Sequence, residues 1–245
     1  DPNGSWVDSS GDNPLAGVVG GAVYDIKEAP NGDIYVCGDF TGVSNGGSAV
    51  ANTKGIARWS KANQVWEAVG NPEAGTSTIQ FVTYMEFDAE GNLYVGGDFG
   101  NFGGISDADC FAMWNGSNWS ALGSGIDDLV LSIAISPAGV IYIGGSFESA
   151  SGNANNKYIS YWNGSAWTPL STGLNGQVLA LKFAPSGNLI VGGQFTNADG
   201  TNGDYICNWN GAQFISFTDS GATELSTDGW VSSIDVTPSG NLIIG

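Results

Sequence analysis

The chain of 245 residues contains no histidine. That absence removes Ser-His-Asp and Cys-His nucleophilic centres and every histidine-ligated metal site. Carboxylates are the chemistry that remains. Two columns of the sequence set them at a spacing of two, which places both columns on one face of a strand. One column reads Asp25, Tyr84, Ser132, Ala180, Ser233, and the other reads Lys27, Glu86, Ala134, Lys182, Asp235. Glu86, Asp235 and Asp25 could work in pairs, as glycoside hydrolysis requires. The same columns also set Lys27 against Glu86 and Lys182 against Asp235. Two of only six cations fall here beside an acid, so ion pairing is the expected role, and the chain is expected not to be an enzyme.

Two further constellations suggest binding. Asp199, Asn202 and Asp204 offer hard oxygen ligands of the kind Ca²⁺ prefers. Their spacing is not that of an EF-hand, and Asx-rich turns form equally well without metal. No cofactor is expected, Ca²⁺ being the one ion with ligands on offer. Asp107 and Asp109 occupy the matching loop of another repeat. Phe102 and Trp230 stand outside the repeat pattern, so with Asp107 and Asp109 they are the candidate ligand contacts. Trp59, Trp114, Trp162 and Trp209, and Trp66, Trp119 and Trp167, recur once per repeat. That regularity is what packing between repeats demands.

The elements that must carry these residues are written several times. VYDIKEAPNGDIYVCGDF (23–40) returns as VTYMEFDAEGNLYVGGDF (82–99), VLSIAISPAGVIYIGGSF (130–147) and VLALKFAPSGNLIVGGQF (178–195), then in part as VSSIDVTPSGNLIIG (231–245). Each copy is two apolar runs around a glycine turn, the signature of a hairpin. A second hairpin follows: IARWSKANQVW, FAMWNGSNW, YISYWNGSAW and ICNWNGAQF. Its Asn-Gly dipeptide is expected to form a two-residue type I′ turn. The turn glycines Gly32, Gly91, Gly139, Gly187 and Gly240 lie 59, 48, 48 and 53 residues apart.

Four-stranded antiparallel units at a period of about 50 residues predict an all-β fold, a β-propeller. The expectation is five blades, the last split between the termini, with NGSW (3–6) as its outer strand and residues 231–245 as its inner two. Residues 1–245 then form a single domain, a segment of a longer protein. The Gly-Gly pairs (Gly96-Gly97, Gly144-Gly145, Gly192-Gly193) followed by an aromatic hairpin ending in Trp resemble the kelch repeat. The fuller pattern is similar to the kelch-like propellers of secreted and surface-exposed bacterial proteins, and to the central domain of galactose-oxidase-like proteins. Trp59, Trp114, Trp162 and Trp209 depart from it, standing where kelch repeats usually carry Tyr. The resemblance covers nearly the whole chain and implies fold more than function, because such propellers serve adhesins, lectins, enzymes and scaffolds. It does not extend to copper chemistry, since no histidine is present to bind the metal.

Within each unit the strands alternate in direction, so all the tight turns share one face of the ring. The inter-hairpin loops 41–55, 100–110, 148–157 and 196–204 share the other, with the connections 70–80, 123–129, 173–177 and 219–229. Variable loops on a rigid scaffold are where binding is expected. Composition narrows the partners. Six Lys and Arg against 24 Asp and Glu give a net charge of −18, which repels phosphate backbones and anionic lipid. No apolar run approaches the roughly 20 residues of a membrane-spanning helix, so neither nucleic acid binding nor membrane insertion is expected. Cys37, Cys110 and Cys207 occupy non-equivalent columns, which reads as buried thiols or at most one bridge. The expectation is an extracellular, cell-surface or virion-surface module that binds a glycan or a protein surface without catalysis. A purely structural assembly subunit and a carbohydrate-active enzyme with central carboxylates are the alternatives. The edge of the incomplete blade is a candidate contact for self-assembly.

Overall fold

The computed structural model describes residues 17–198, 205–217 and 229–245, and the backbone of 201–202. It contains four complete four-stranded antiparallel sheets, each a meander in sequence order. Blade 1 runs Val23–Glu28, Ile34–Gly38, Ile56–Ser60, Val65–Glu67. Blade 2 runs Thr78–Phe87, Leu93–Gly100, Phe111–Trp114, Trp119–Ser120. Blade 3 runs Val130–Ile135, Ile141–Gly145, Ile159–Trp162, Trp167–Pro169. Blade 4 runs Val178–Phe183, Leu189–Gly193, Ile206–Trp209, Phe214–Ser216. A fifth unit contributes the hairpin Ile234–Val236 and Leu242–Ile244. The first strands of successive blades pack side by side, so the sheets are arranged radially and the fold is a β-propeller. The segment expected to give the outer strand of the fifth unit, residues 3–6, lies outside the described residues.

Each first hairpin turns on a glycine with positive φ, a conformation that costs glycine little. Gly139 has φ 78°, its N–H donates to Ser136 O, and Ser136 N–H donates to Val140 O. The Asn-Gly turns differ from expectation. They are four-residue loops, with Trp162 paired to Trp167, rather than two-residue type I′ turns. Gly164 takes the positive φ while Asn163 does not. Asn163 instead uses Oδ1 to accept from Ser165 N and Ala166 N at 3.0 and 2.9 Å. Asn115 and Asn210 do the same. The asparagine is therefore chosen for its side-chain acceptor.

Packing between blades rests on one repeated fit. Val130, Val178 and Val231 are buried, and each lies against a glycine of the preceding blade: Gly96, Gly144 and Gly192. A Cβ on Gly144 would sit 2.4 Å from Val178 Cγ1. Cys37 fills the same column in blade 1 and is fully buried. All three cysteines are buried and none forms a disulfide, as a reading of buried thiols implies. The tryptophans bind blades together. Trp119 Nε1–H donates to Val69 O of blade 1 at 2.9 Å, and Trp167 Nε1–H to Leu122 O of blade 2 at 2.8 Å.

Candidate functional site

The long-loop face is built from three devices. The first closes the neck of each loop. Gly55, Cys110, Tyr158 and Tyr205 all adopt left-handed φ values, of 73°, 58°, 66° and 64°. Each donates its N–H to the carbonyl of a buried phenylalanine (Phe40, Phe99, Phe147, Phe195). Each also accepts from a strand glycine (Gly38, Gly97, Gly145, Gly193). A left-handed backbone is costly for a tyrosine, and two hydrogen bonds per neck hold it there. Sequence reasoning missed this position; Gly55 in its column was the available signal.

The second device ties each loop to the connection before its blade. Asp127 Oδ1 accepts from Glu148 N and Ser149 N at 3.0 and 2.9 Å, and Asn175 Oδ1 accepts from Thr196 N and Asn197 N at 2.9 Å. The third device latches the loop onto the outermost strand. Asn45 exchanges two hydrogen bonds with the Trp66 backbone. Asn156, fully buried, donates Nδ2–H to Ala150 O and Trp167 O. In blade 2 the corresponding latch is apolar, and Phe102 fills it.

This corrects the expectation for Phe102. It is fully buried, with its ring 4.5 Å from Phe99 and 4.7 Å from Trp119, centroid to centroid. A ring enclosed in this way presents no face to a ligand. Asp109 accepts from Asn101 N at 2.8 Å and its carbonyl accepts from Ile126 N, so it braces the loop while Asp107 stays exposed. Trp230 is 65% exposed and begins the fifth unit, away from that loop's own packing. Asp199 and Asp204 lie outside the described residues, as does the side chain of Asn202. Among the described residues no three acidic or thiol side chains are grouped to hold a metal ion.

The inner-strand carboxylates are engaged. Lys27 Nζ lies 2.9 Å from Glu86 Oε2, and Lys182 Nζ 3.2 Å from Asp235 Oδ1. Lys27 also rests over the Tyr84 ring at 4.7 Å from its centroid. Burial pushes the Lys27 ammonium down, but Tyr84, Glu86 and Asp25 together outweigh it and hold the group above its usual range. Asp25 shows the opposite balance. Burial lifts its carboxyl above the usual carboxylate range against the pull of Lys27 and the Met85 N–H. On the loop face, burial and then the charges of Asp98, Asp109 and Asp128 push the Cys110 thiol up to about 12, which leaves it an unreactive thiol at neutral pH.

One concavity on this face was not foreseen. A cleft at the junction of blades 1 and 2 is lined by Lys54, Glu73, Ser77, Thr78, Ile79 and Gln80. Ser77 Oγ is buried without a hydrogen-bond partner. A buried hydroxyl normally finds one, and the cleft it borders mixes a cation, an acid, an amide and a hydroxyl with the apolar Ile79. No charge or periodicity signal in the sequence marks Ser77. Only the folding of the 70–80 connection against blade 2 brings it beside Lys54.

No family model and no curated protein matches the chain. Solved structures do, at low identity. The extracellular domain of a candidate one-component system from B. thetaiotaomicron matches with TM-score 0.56 and 10% identity, over 91% of this chain and 31% of that one. A candidate gluconolactonase matches with TM-score 0.54 and 11% identity, over 91% and 70%. An ancestral GH74 enzyme matches with TM-score 0.54 and 16% identity, over 94% and 28%. The propeller fold is shared. This chain spans about a third of the length of the first structures it matches. Among the described residues no helix is long and apolar enough to cross a membrane.

Proposed function

We propose that this chain is an extracellular, kelch-like binding module that takes a neutral glycan or a polar protein surface on its long-loop face without catalysing a reaction. The observation that carries this reading is the open cleft between blades 1 and 2, where Lys54 and the exposed Glu73, Thr78 and Gln80 supply donors and acceptors beside Ile79. Sugar hydroxyls satisfy such groups in both directions. The Trp230 indole, exposed at the start of the fifth unit, offers an aromatic surface to a ligand. The pairing of Glu86 with Lys27 and of Asp235 with Lys182 weighs against catalysis, because a working pair of carboxylates needs one acid and one base free to exchange protons.

A glycan-array screen of the chain, run with Ca²⁺ and again with EDTA, tests the reading. Saturable binding is expected, weakened by Gln80→Ala and Lys54→Ala in the cleft and by Trp230→Ala beyond it. Loss on EDTA would bring in the Asp199–Asp204 loop. Absence of glycan or protein binding across the screen, or hydrolysis abolished by Glu86→Gln, would overturn it.

A further inference from the structure

The neck of blade 1 lacks a side chain that the neck of blade 3 carries. The two are written alike, Asn52-Thr53-Lys54-Gly55 and Asn155-Asn156-Lys157-Tyr158. They share the left-handed backbone and the hydrogen bond to a buried phenylalanine carbonyl, Phe40 O in one and Phe147 O in the other. At blade 3 an acid, a cation and a ring meet. Lys157 Nζ lies 3.0 Å from Glu148 Oε1 and stands over the Tyr158 ring, 4.9 Å from its centroid. That ring is half-buried against the core shared by blades 3 and 4. Tyr205 packs in the same way against the core between blade 4 and the fifth unit. Blade 2 fills its neck with the buried Cys110 beside Ile126.

At blade 1 the cation and the acid are present and the ring is not. Lys54 and Glu73 line one cleft of about 330 Å³, together with Thr78, Ile79 and Gln80. Among the described residues Lys54 makes no ion pair, whereas Lys27, Arg58, Lys157 and Lys182 each do. A Cβ on Gly55 would lie 2.9 Å from Ile79 Cγ2. The direction along which blade 3 sends its tyrosine therefore leads, in blade 1, to the apolar wall of the cleft. An ammonium without a counter-ion, set beside an apolar wall, is the surrounding that the Tyr158 ring has, and an aromatic face attracts such a cation.

We propose that this cleft seats the side chain of a tyrosine from a partner polypeptide, its ring on Ile79 and under Lys54, with Glu73 and Gln80 offering acceptors for its hydroxyl. The occupant follows from the chain's own tyrosine in the matching place of blade 3, held by a cation and an acid of the same kinds. The proposal rests on the reading of this cleft as a binding site and narrows it, committing to a protein surface over a glycan. The junction lies between two complete blades, so its open neck is a property of Gly55.

An NMR titration that follows the methyl groups of Thr78 and Ile79 tests this. The probe is N-acetyltyrosinamide, with N-acetylleucinamide and methyl glucoside as comparisons. Saturable shifts are expected with the tyrosine amide, and weaker binding with the leucine amide. Lys54→Met keeps the aliphatic stem and removes the charge, and should weaken the tyrosine amide about two- to fivefold. Gly55→Tyr supplies the ring from the chain itself, on a backbone that Tyr158 and Tyr205 already adopt, and should abolish the shift at Thr78. Circular dichroism confirms that it is folded; Lys54→Met, at a side chain that makes no ion pair, tests the proposal independently of that variant. Shifts from methyl glucoside with none from the tyrosine amide would overturn this proposal and leave a glycan site standing. No shift from any probe would overturn it too, and the glycan array then decides the wider reading by itself. Equal binding of the tyrosine and leucine amides, unchanged by Lys54→Met, would also overturn it.

Discussion

Lys27 reaches across from blade 1 to place its ammonium 2.9 Å from the Glu86 carboxylate of blade 2, over the ring of Tyr84. Both side chains are more than two-thirds buried, so the pair is less screened than a surface bridge. Removing one partner leaves the other charge partly desolvated. Glu86→Gln is expected to destabilise the chain by about 1–3 kcal/mol, read as a fall in denaturant midpoint with unchanged slope. Asp235→Asn, at a more exposed pair, should cost markedly less. Equal effects at the two sites would show that burial of the Lys27 pair contributes nothing.

Asp25 carries the pH prediction. Its carboxyl is lifted above the usual range in the folded chain, first by burial, so the folded state holds its proton more tightly than the unfolded state. Between the unfolded and folded values stability therefore falls as pH rises, and above them the charged form is a standing cost. Ile26 N–H and Met85 N–H bond different oxygens of Asp25, so asparagine removes the charge but keeps an acceptor for only one of them. The lost hydrogen bond costs the same at every pH, so the melting temperature of Asp25→Asn relative to the wild type should rise as pH increases through the range in which Asp25 ionises. A relative melting temperature that falls with rising pH would mean that attraction to Lys27 outweighs desolvation.

Valine on glycine makes a second kind of prediction. Gly144→Ala puts a Cβ 2.4 Å from Val178 Cγ1, and overpacking of this kind costs about 1–3 kcal/mol. The negative φ at this strand position means that sterics, not backbone strain, set the cost. Val178→Ala alone opens a void. The double variant should recover part of the loss, giving a coupling energy of about 0.5–3 kcal/mol in a double-mutant cycle. Strict additivity would show that the two residues do not share the interface.

Much of this architecture could be read directly from the residues. Gly32, Gly91, Gly139, Gly187 and Gly240 mark the turns because only a glycine takes their φ cheaply, and the spaced tryptophans mark the interfaces because packing repeats with the blade. The pairings of Lys27 with Glu86 and Lys182 with Asp235 followed from column position alone. The loop face was harder to read because its contacts are non-periodic. Phe102 looked free for lack of a repeat partner, yet it fills the place that Asn45 and Asn156 fill in other blades. Ser77 looked like any loop serine. Nothing local to either residue encodes which outer strand lies beneath it.

Asn156 is the point at which the loop face depends on a single side chain. It is fully buried, bonds two carbonyls, Ala150 O and Trp167 O, and leaves Oδ1 without a partner. Asn156→Ala would remove the side-chain donor from Trp167 O, leave Ala150 O with Asn153 N–H alone and open a small void, at a cost of about 1–3 kcal/mol. Because the latch joins loop 148–157 to the outermost strand, the loss should be local. Hydrogen exchange should speed up at Ser151 and Tyr158, whose N–H groups hold the loop and its neck, with little change in the inner strand Val130–Ile135. Asn156→Asp tests the geometry separately, since a carboxylate offers no N–H to either carbonyl and buries a charge; it should be worse than alanine. Uniform acceleration across blade 3 would show that the latch supports the whole blade rather than the loop it closes.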